Sequence, residues 1–139
     1  MLNDDDLNRY ARQVIIPNFE EDGQENLLNT KCLIVGAGGL GCPVALYASA
    51  AGFGHIEIYD EDIIEISNLN RQIAHKNDHI GHNKAENLVQ ECLKINPNIS
   101  VISKKNIFDE TIDVSNFDLI FDCSDNPETK YILNSLSHK

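Results

Sequence analysis

Cys32-Leu33-Ile34-Val35-Gly36-Ala37-Gly38-Gly39-Leu40-Gly41 decides the reading of this chain. The first four residues form a continuous apolar run of strand length, the pattern of a parallel strand covered on both faces. Glycines then fall at the spacing G-x-G-x-x-G, and residues 43–52 (PVALYASAAG) read as a helix closed by Gly52. Glycine permits the tight turn, the close approach of backbone to phosphate, and close helix–strand packing. The helix N-terminus adds unpaired N–H groups and a partial positive charge. Gly36, Gly38, Gly39 and Gly41 are therefore candidate nucleotide contacts.

Working outward, residues 55–60 (HIEIYD) read as a second strand ending in an acid. Asp60 stands about twenty residues beyond the glycines, where a carboxylate can accept hydrogen bonds from ribose hydroxyls. Asp62 competes for that role from two residues further on. In residues 83–95, Ala85, Leu88, Val89, Cys92 and Ile95 recur at three- and four-residue intervals, the spacing of an amphipathic helix that Pro97 and Asn98 end. Residues 99–103 and 118–122 read as a third and a fourth strand, and a last helix starts near Pro127. Upstream, residues 4–10 and 19–29 read as short helices, the second interrupted by Gly23. Strands alternating with helices mean an α/β protein with a parallel sheet and right-handed crossovers. The expected architecture is a Rossmann-like parallel sheet with flanking helices and an N-terminal helical extension. Residues 1–30 are expected to form the extension and residues 31–139 the nucleotide-binding half.

With 139 residues the chain suffices for one domain with a real core but is short for a two-site enzyme. The net charge of −11 argues against nucleic acid or an anionic membrane as a partner, since both need clustered Lys and Arg. The acid clumps at 4–6, 20–22 and 60–62, and the first two clumps read as solvated faces. Cys32, Cys42, Cys92 and Cys123 contain no C-x-x-C pair, so a zinc site made by this chain alone is not expected. Cys32 and Cys123 read as small core residues. Residues 1–10 hold no basic region followed by an apolar run, and no apolar stretch reaches the roughly 20 residues that span a bilayer. The expectation is a soluble cytoplasmic protein with reduced thiols.

The glycine turn and Asp60 fit NAD and ATP equally well. Ser67-Asn68-Leu69-Asn70-Arg71-Gln72 and Gly81-His82-Asn83-Lys84 separate them. A dehydrogenase works at the nicotinamide, far from the phosphates, and has no use for cations there. Attack on the α-phosphate of ATP develops charge on phosphorus and on departing pyrophosphate, which fixed cations stabilise. The sequence has no G-x-x-x-x-G-K-[ST], so Arg71 and Lys84 must serve in place of a P-loop lysine. Asp122-Cys123-Ser124-Asp125-Asn126 falls at the carboxyl end of the fourth strand, the edge where open α/β sheets bind ligands. There Asp125 suits Mg²⁺, which takes one or two carboxylates plus phosphate oxygens. Asp125 would equally suit the cap of the following helix.

Together with Arg9-Tyr10-Ala11-Arg12-Gln13, Asp22-Gly23-Gln24, residues 81–86 (GHNKAE) and 95–99 (INPNI), these motifs resemble the ThiF/MoeB/HesA adenylyltransferases, relatives of the ubiquitin-activating enzymes. The resemblance covers nearly the whole chain with its motifs in the family's order. It implies an ATP site made of the glycine turn around Gly39, of Asp60, of Ser67, Asn68, Leu69, Asn70 and Arg71, and of Lys84, Asp125 and Asn126. Arg71, Lys84 and Asp125 would act in catalysis, with Asp125 as the Mg²⁺ ligand. Arg12 would reach into the partner subunit's site, which implies a homodimer. The implied reaction is ATP-dependent adenylation of the C-terminal glycine of a ubiquitin-like sulfur-carrier protein, of thiamine or molybdopterin type. In that step the substrate carboxylate is the nucleophile; positioning and electrostatics carry it. The histidines read as surface or packing residues. Members of the family run on further, with more strands, paired C-x-x-C zinc ligands and a crossover loop. The chain is therefore expected to be an N-terminal part, a truncated product or a half completed by another chain, with the fourth strand left as an unpaired edge.

Competing readings are an NAD-dependent oxidoreductase, which Arg71 and Lys84 argue against, and a non-catalytic dimerisation or regulatory module. A tRNA-modifying adenylating relative is a further reading, but the charge of −11 offers no basic footprint for RNA.

Overall fold

The structure is a computed structural model that describes residues 1–138. Strands β1 (Lys31–Val35), β2 (His55–Tyr59), β3 (Ser100–Lys104) and β4 (Leu119–Asp122) form one sheet in the order β3-β2-β1-β4. All three pairings are parallel. β1 is central, and its neighbours β2 and β4 lie on opposite sides, so the strand order reverses beside it. The carboxyl end of β1 is therefore a topological switch point, where open α/β sheets form a crevice.

Successive residues of β1 feed opposite faces, as the pleat requires. Cys32 and Ile34 pack with Ile56, Ile58, Ala45, Leu88 and Cys92, beneath helices α4 (Gly41–Ala51) and α5 (Lys84–Ile95). Leu33 and Val35 join Tyr59, Phe108, Leu133 and Leu136, beneath helix α6 (Pro127–Ser137). Helices thus cover both faces, which explains why β1 reads as an unbroken apolar run. The reading of α5 holds for Ala85, Leu88, Val89 and Cys92; Ile95, in its last position, is 40% exposed. Cys32 is wholly buried and Cys123 packs against the first core, so both serve as small apolar residues.

The N-terminal residues form α1 (Asp4–Arg9), α2 (Ala11–Val14) and α3 (Glu20–Asn29). Gly23 does not interrupt α3: its N–H donates to the Phe19 carbonyl at 2.7 Å, and the Phe19 ring occupies the space that a Cβ would need. These helices close the C-terminal end of α4. Gln13 and Gln24 each donate to the Ala51 carbonyl at 3.0 Å. Asn96 joins the buried Tyr10 hydroxyl (2.8 Å) to the Ser49 carbonyl (2.9 Å). Gly52 closes α4 at φ 92°. Among the described residues no helix is long and apolar enough to cross a membrane.

Candidate functional site

The glycine turn links β1 to α4 at the switch point. Gly36 has φ 104°, and a Cβ on it would strike the Cys123 carbonyl at the end of β4. A Cβ on Gly41 would overlap the Gly36 carbonyl, so the third glycine lets helix and turn close together. Gly38 and Gly39 lie under Gln72 and under the aliphatic stem of Arg71, respectively. The N–H groups of Gly38, Gly39, Leu40 and Gly41 meet no acceptor among the described residues. They form an unsatisfied donor set at the N-terminus of α4, the arrangement that receives an anion.

Asp60 follows β2 and faces this turn. Its Oδ2 accepts the Ala37 N–H at 2.7 Å and its Oδ1 the Asp62 N–H at 2.9 Å. Each oxygen keeps a second lone pair for a hydroxyl donor. Burial raises the Asp60 pKa above the ordinary 3.8, against the pull of those N–H groups. Asp62, the competing acid, is committed elsewhere: its Oδ2 takes the Lys84 Nζ at 3.1 Å, and its carbonyl takes the Lys84 N–H at 2.9 Å. Lys84 opens α5, with its side chain 9% exposed. Asn83 caps the helix through Glu86 N–H and ties it to the Asp60 carbonyl at 2.9 Å. The acidic turn, Lys84 and the glycine turn are thereby joined.

Residues 66–68 form a single 3₁₀ turn. Asn68 is buried, its Oδ1 accepting the Glu65 N–H at 2.9 Å. Ser67 and Asn70 are exposed and Leu69 is half-buried. Arg71 is exposed over Gly39, its Nη1 donating to the Ser67 carbonyl (3.1 Å) and to Asn70 Oδ1 (3.0 Å). At the β4 edge, Asp125 is exposed and has no hydrogen-bond or ion-pair partner among the described residues. It does not cap α6. Asn126 does, accepting the Thr129 N–H at 2.8 Å. Asp122 is instead engaged by Ser124 and Lys130.

One cleft is lined by Gly36, Asp60, Asp62, Asp125 and Asn126. Sequence reasoning missed the other wall, Asn106, Ile107 and Phe108, which carries no motif and is delivered by the loop after β3. Phe108 is pinned edge-on to Tyr59, with ring centroids 5.3 Å apart. Arg12 is not brought to this cleft: its neighbour Gln13 is anchored at the opposite end of α4 from the glycine turn. Asp125 offers a hard oxygen that suits Mg²⁺. Among the described residues no three His, Cys, Asp or Glu side chains are grouped to hold a metal ion.

Fold and cleft define a Rossmann-like α/β protein whose glycine turn lies at the switch point of the sheet. The ThiF family model matches residues 10–139, and the chain belongs to that family. It is 42% identical over 143 residues to the adenylyltransferase and sulfurtransferase UBA4 of Debaryomyces hansenii, an alignment covering 98% of this chain and 31% of that protein. The chain thus spans about a third of the length of the curated relatives it matches. Among solved structures, MccB of E. coli with ATP is 42% identical, covering 63% of this chain and 26% of that one, with a TM-score of 0.60. E. coli tRNA N6-threonylcarbamoyladenosine dehydratase, TcdA, with AMP gives a TM-score of 0.90 over 99% of this chain and 57% of that one. At 22% identity it shows the fold alone.

Proposed function

We propose that this chain supplies the ATP-binding part of an enzyme that adenylates the C-terminal glycine carboxylate of a ubiquitin-like sulfur-carrier protein. The observation that carries the reading is the unsatisfied N–H row at the start of α4, with Arg71 lying over Gly39 beside it. UBA4's name as an adenylyltransferase and sulfurtransferase supports the reaction class, and the ATP in the MccB structure supports the nucleotide.

In this reading the glycine turn receives phosphate and Asp60 accepts the ribose hydroxyls through its remaining lone pairs. Arg71 and Lys84 stabilise the charge that develops as the carboxylate attacks the α-phosphorus and pyrophosphate leaves. Asn68 and Asn126 hold the loops that carry these groups. Asp125, without a hydrogen-bond or ion-pair partner among the described residues, would hold Mg²⁺, which when bound would shield the phosphate charge. Arg12 is proposed to serve the cleft of a second subunit, since its own lies at the other end of α4.

The test is ATP–pyrophosphate exchange by the complete gene product with carriers ending in Gly-Gly. The reading expects exchange that needs ATP, carrier and Arg71; its absence with every carrier would overturn the reading.

A further inference from the structure

Ala37, between the first glycines of the turn, is gripped on both of its backbone groups by side chains. Its N–H donates to Asp60, and its carbonyl oxygen lies 2.8 Å from His75 Nε2. His75 is 3% exposed, and its Nδ1 lies 2.9 Å from Asn87 Nδ2. The same Asn87 nitrogen donates to the Ala74 carbonyl at 3.2 Å. A carbonyl only accepts, so that atom is the amide nitrogen, and its second hydrogen points to Nδ1. Nδ1 therefore carries no proton and Nε2 carries one, which it donates to Ala37.

The charged and titratable groups around the ring agree with a neutral imidazole. Burial lowers its pKa, with Lys84 and His79 acting in the same direction and the Ala37 hydrogen bond and Asp60 opposing. Cys42 Sγ, 3.7 Å from Nε2, is a thiol whose own pKa burial pushes up to about 11.

The C=O and N–H of a trans peptide point in opposite directions. A carbonyl of Ala37 turned inward to His75 therefore turns the Gly38 N–H outward, into the unsatisfied donor row. We propose that His75 is a positioning residue of the nucleotide turn, its Nε2–H fixing the Ala37–Gly38 peptide so that the Gly38 N–H faces the phosphate. This rests on the reading of the turn as a nucleotide site. It assigns a function to a buried histidine that otherwise reads as packing.

The experiment compares His75→Gln, whose amide N–H can take the place of Nε2–H, with His75→Phe, which fills the volume without a donor. Two readouts are taken on the full chain: ATP affinity, and hydrogen exchange of the Ala37 amide against that of Ile58. Losing one buried hydrogen bond corresponds to about tenfold. His75→Phe is expected to weaken ATP and to speed Ala37 exchange by about that factor, and His75→Gln to restore both to within about twofold. Wild-type values for His75→Phe would overturn the proposal. Should the unsubstituted chain bind no ATP, the nucleotide reading fails while the exchange readout still decides the positioning role. Should His75→Phe not fold, long-range ¹H–¹⁵N spectra of the unsubstituted chain decide instead. An Nε2–H ring supports the proposal, and an Nδ1–H tautomer with a bare Nε2 overturns it.

Discussion

At Asp60 two demands meet on one carboxylate. It must stay buried enough to hold the Ala37 and Asp62 N–H groups, and it must keep lone pairs open toward the cleft. Only an acceptor on both oxygens satisfies that arrangement. Asp60→Asn turns one oxygen into an NH₂ group facing an N–H donor, so one bond is lost whichever way the amide is placed. The expected cost is about 1 kcal/mol in urea unfolding and about a tenfold loss of ATP affinity by calorimetry. Lys84→Met keeps the apolar stem of a largely buried side chain and removes the charge. It is expected to weaken ATP by about tenfold, the scale of one charge-assisted hydrogen bond. Since Asp62 is 65% exposed, the lost ion pair itself should change unfolding by less than about 1 kcal/mol. Asp60 was legible in the sequence because it needs only strand spacing to be recognised. The pairing of Lys84 with Asp62 was not, because it joins residues that only the fold brings together.

The elements that were read most securely are those whose signal is local. β1, the glycine turn and α4 lie within one continuous stretch, and the periodicity of α5 spans the whole helix. α2 was missed because four residues give no helical period to detect. Asp125 and Asn126 are both good capping residues in adjacent positions, so composition cannot choose between them; the backbone gives the cap to Asn126 and leaves Asp125 to the cleft. Asn126→Ala should therefore cost about 1 kcal/mol of stability, whereas Asp125→Ala should leave stability unchanged and lower only the Mg²⁺-dependent part of ATP binding. Thermal unfolding of the two variants, with and without Mg²⁺ and ATP, separates the roles. Gly41→Ala places a Cβ onto the Gly36 carbonyl, and overpacking at a backbone contact costs about 1–3 kcal/mol in denaturant unfolding.

At the scale of the molecule, every strand-end group of the cleft derives from the reversal of strand order beside β1. β2 delivers Asp60, β4 delivers Asp125, and the loop after β3 closes the wall with Phe108. That loop was invisible to motif reading because its contribution is made by position alone. At the far end of α4, Gln24 holds the Ala51 carbonyl and Asn96 ties the Tyr10 hydroxyl to the Ser49 carbonyl, so residues within the sequence motifs lock the N-terminal helices there. The pH dependence of the whole chain carries a mark of the clamp behind the turn. A folded His75 pKa below the ordinary 6.5 means that the unfolded chain binds that proton more readily. The neutral ring's contribution is therefore present above 6.5 and lost as pH falls through that value toward the folded one. Relative to His75→Gln, whose side chain does not titrate, the unsubstituted chain is expected to lose stability as pH falls over that interval in parallel denaturant titrations.

The central claim is that the turn at Gly36–Gly41 holds the phosphates of ATP beside Arg71 and Lys84. Calorimetric titration of the chain with ATP and with NAD, repeated on Arg71→Ala, tests it most directly. The expected result is tighter binding of ATP than of NAD, with the preference reduced about tenfold when Arg71 is removed. Tighter binding of NAD, or an ATP affinity indifferent to Arg71, would contradict it.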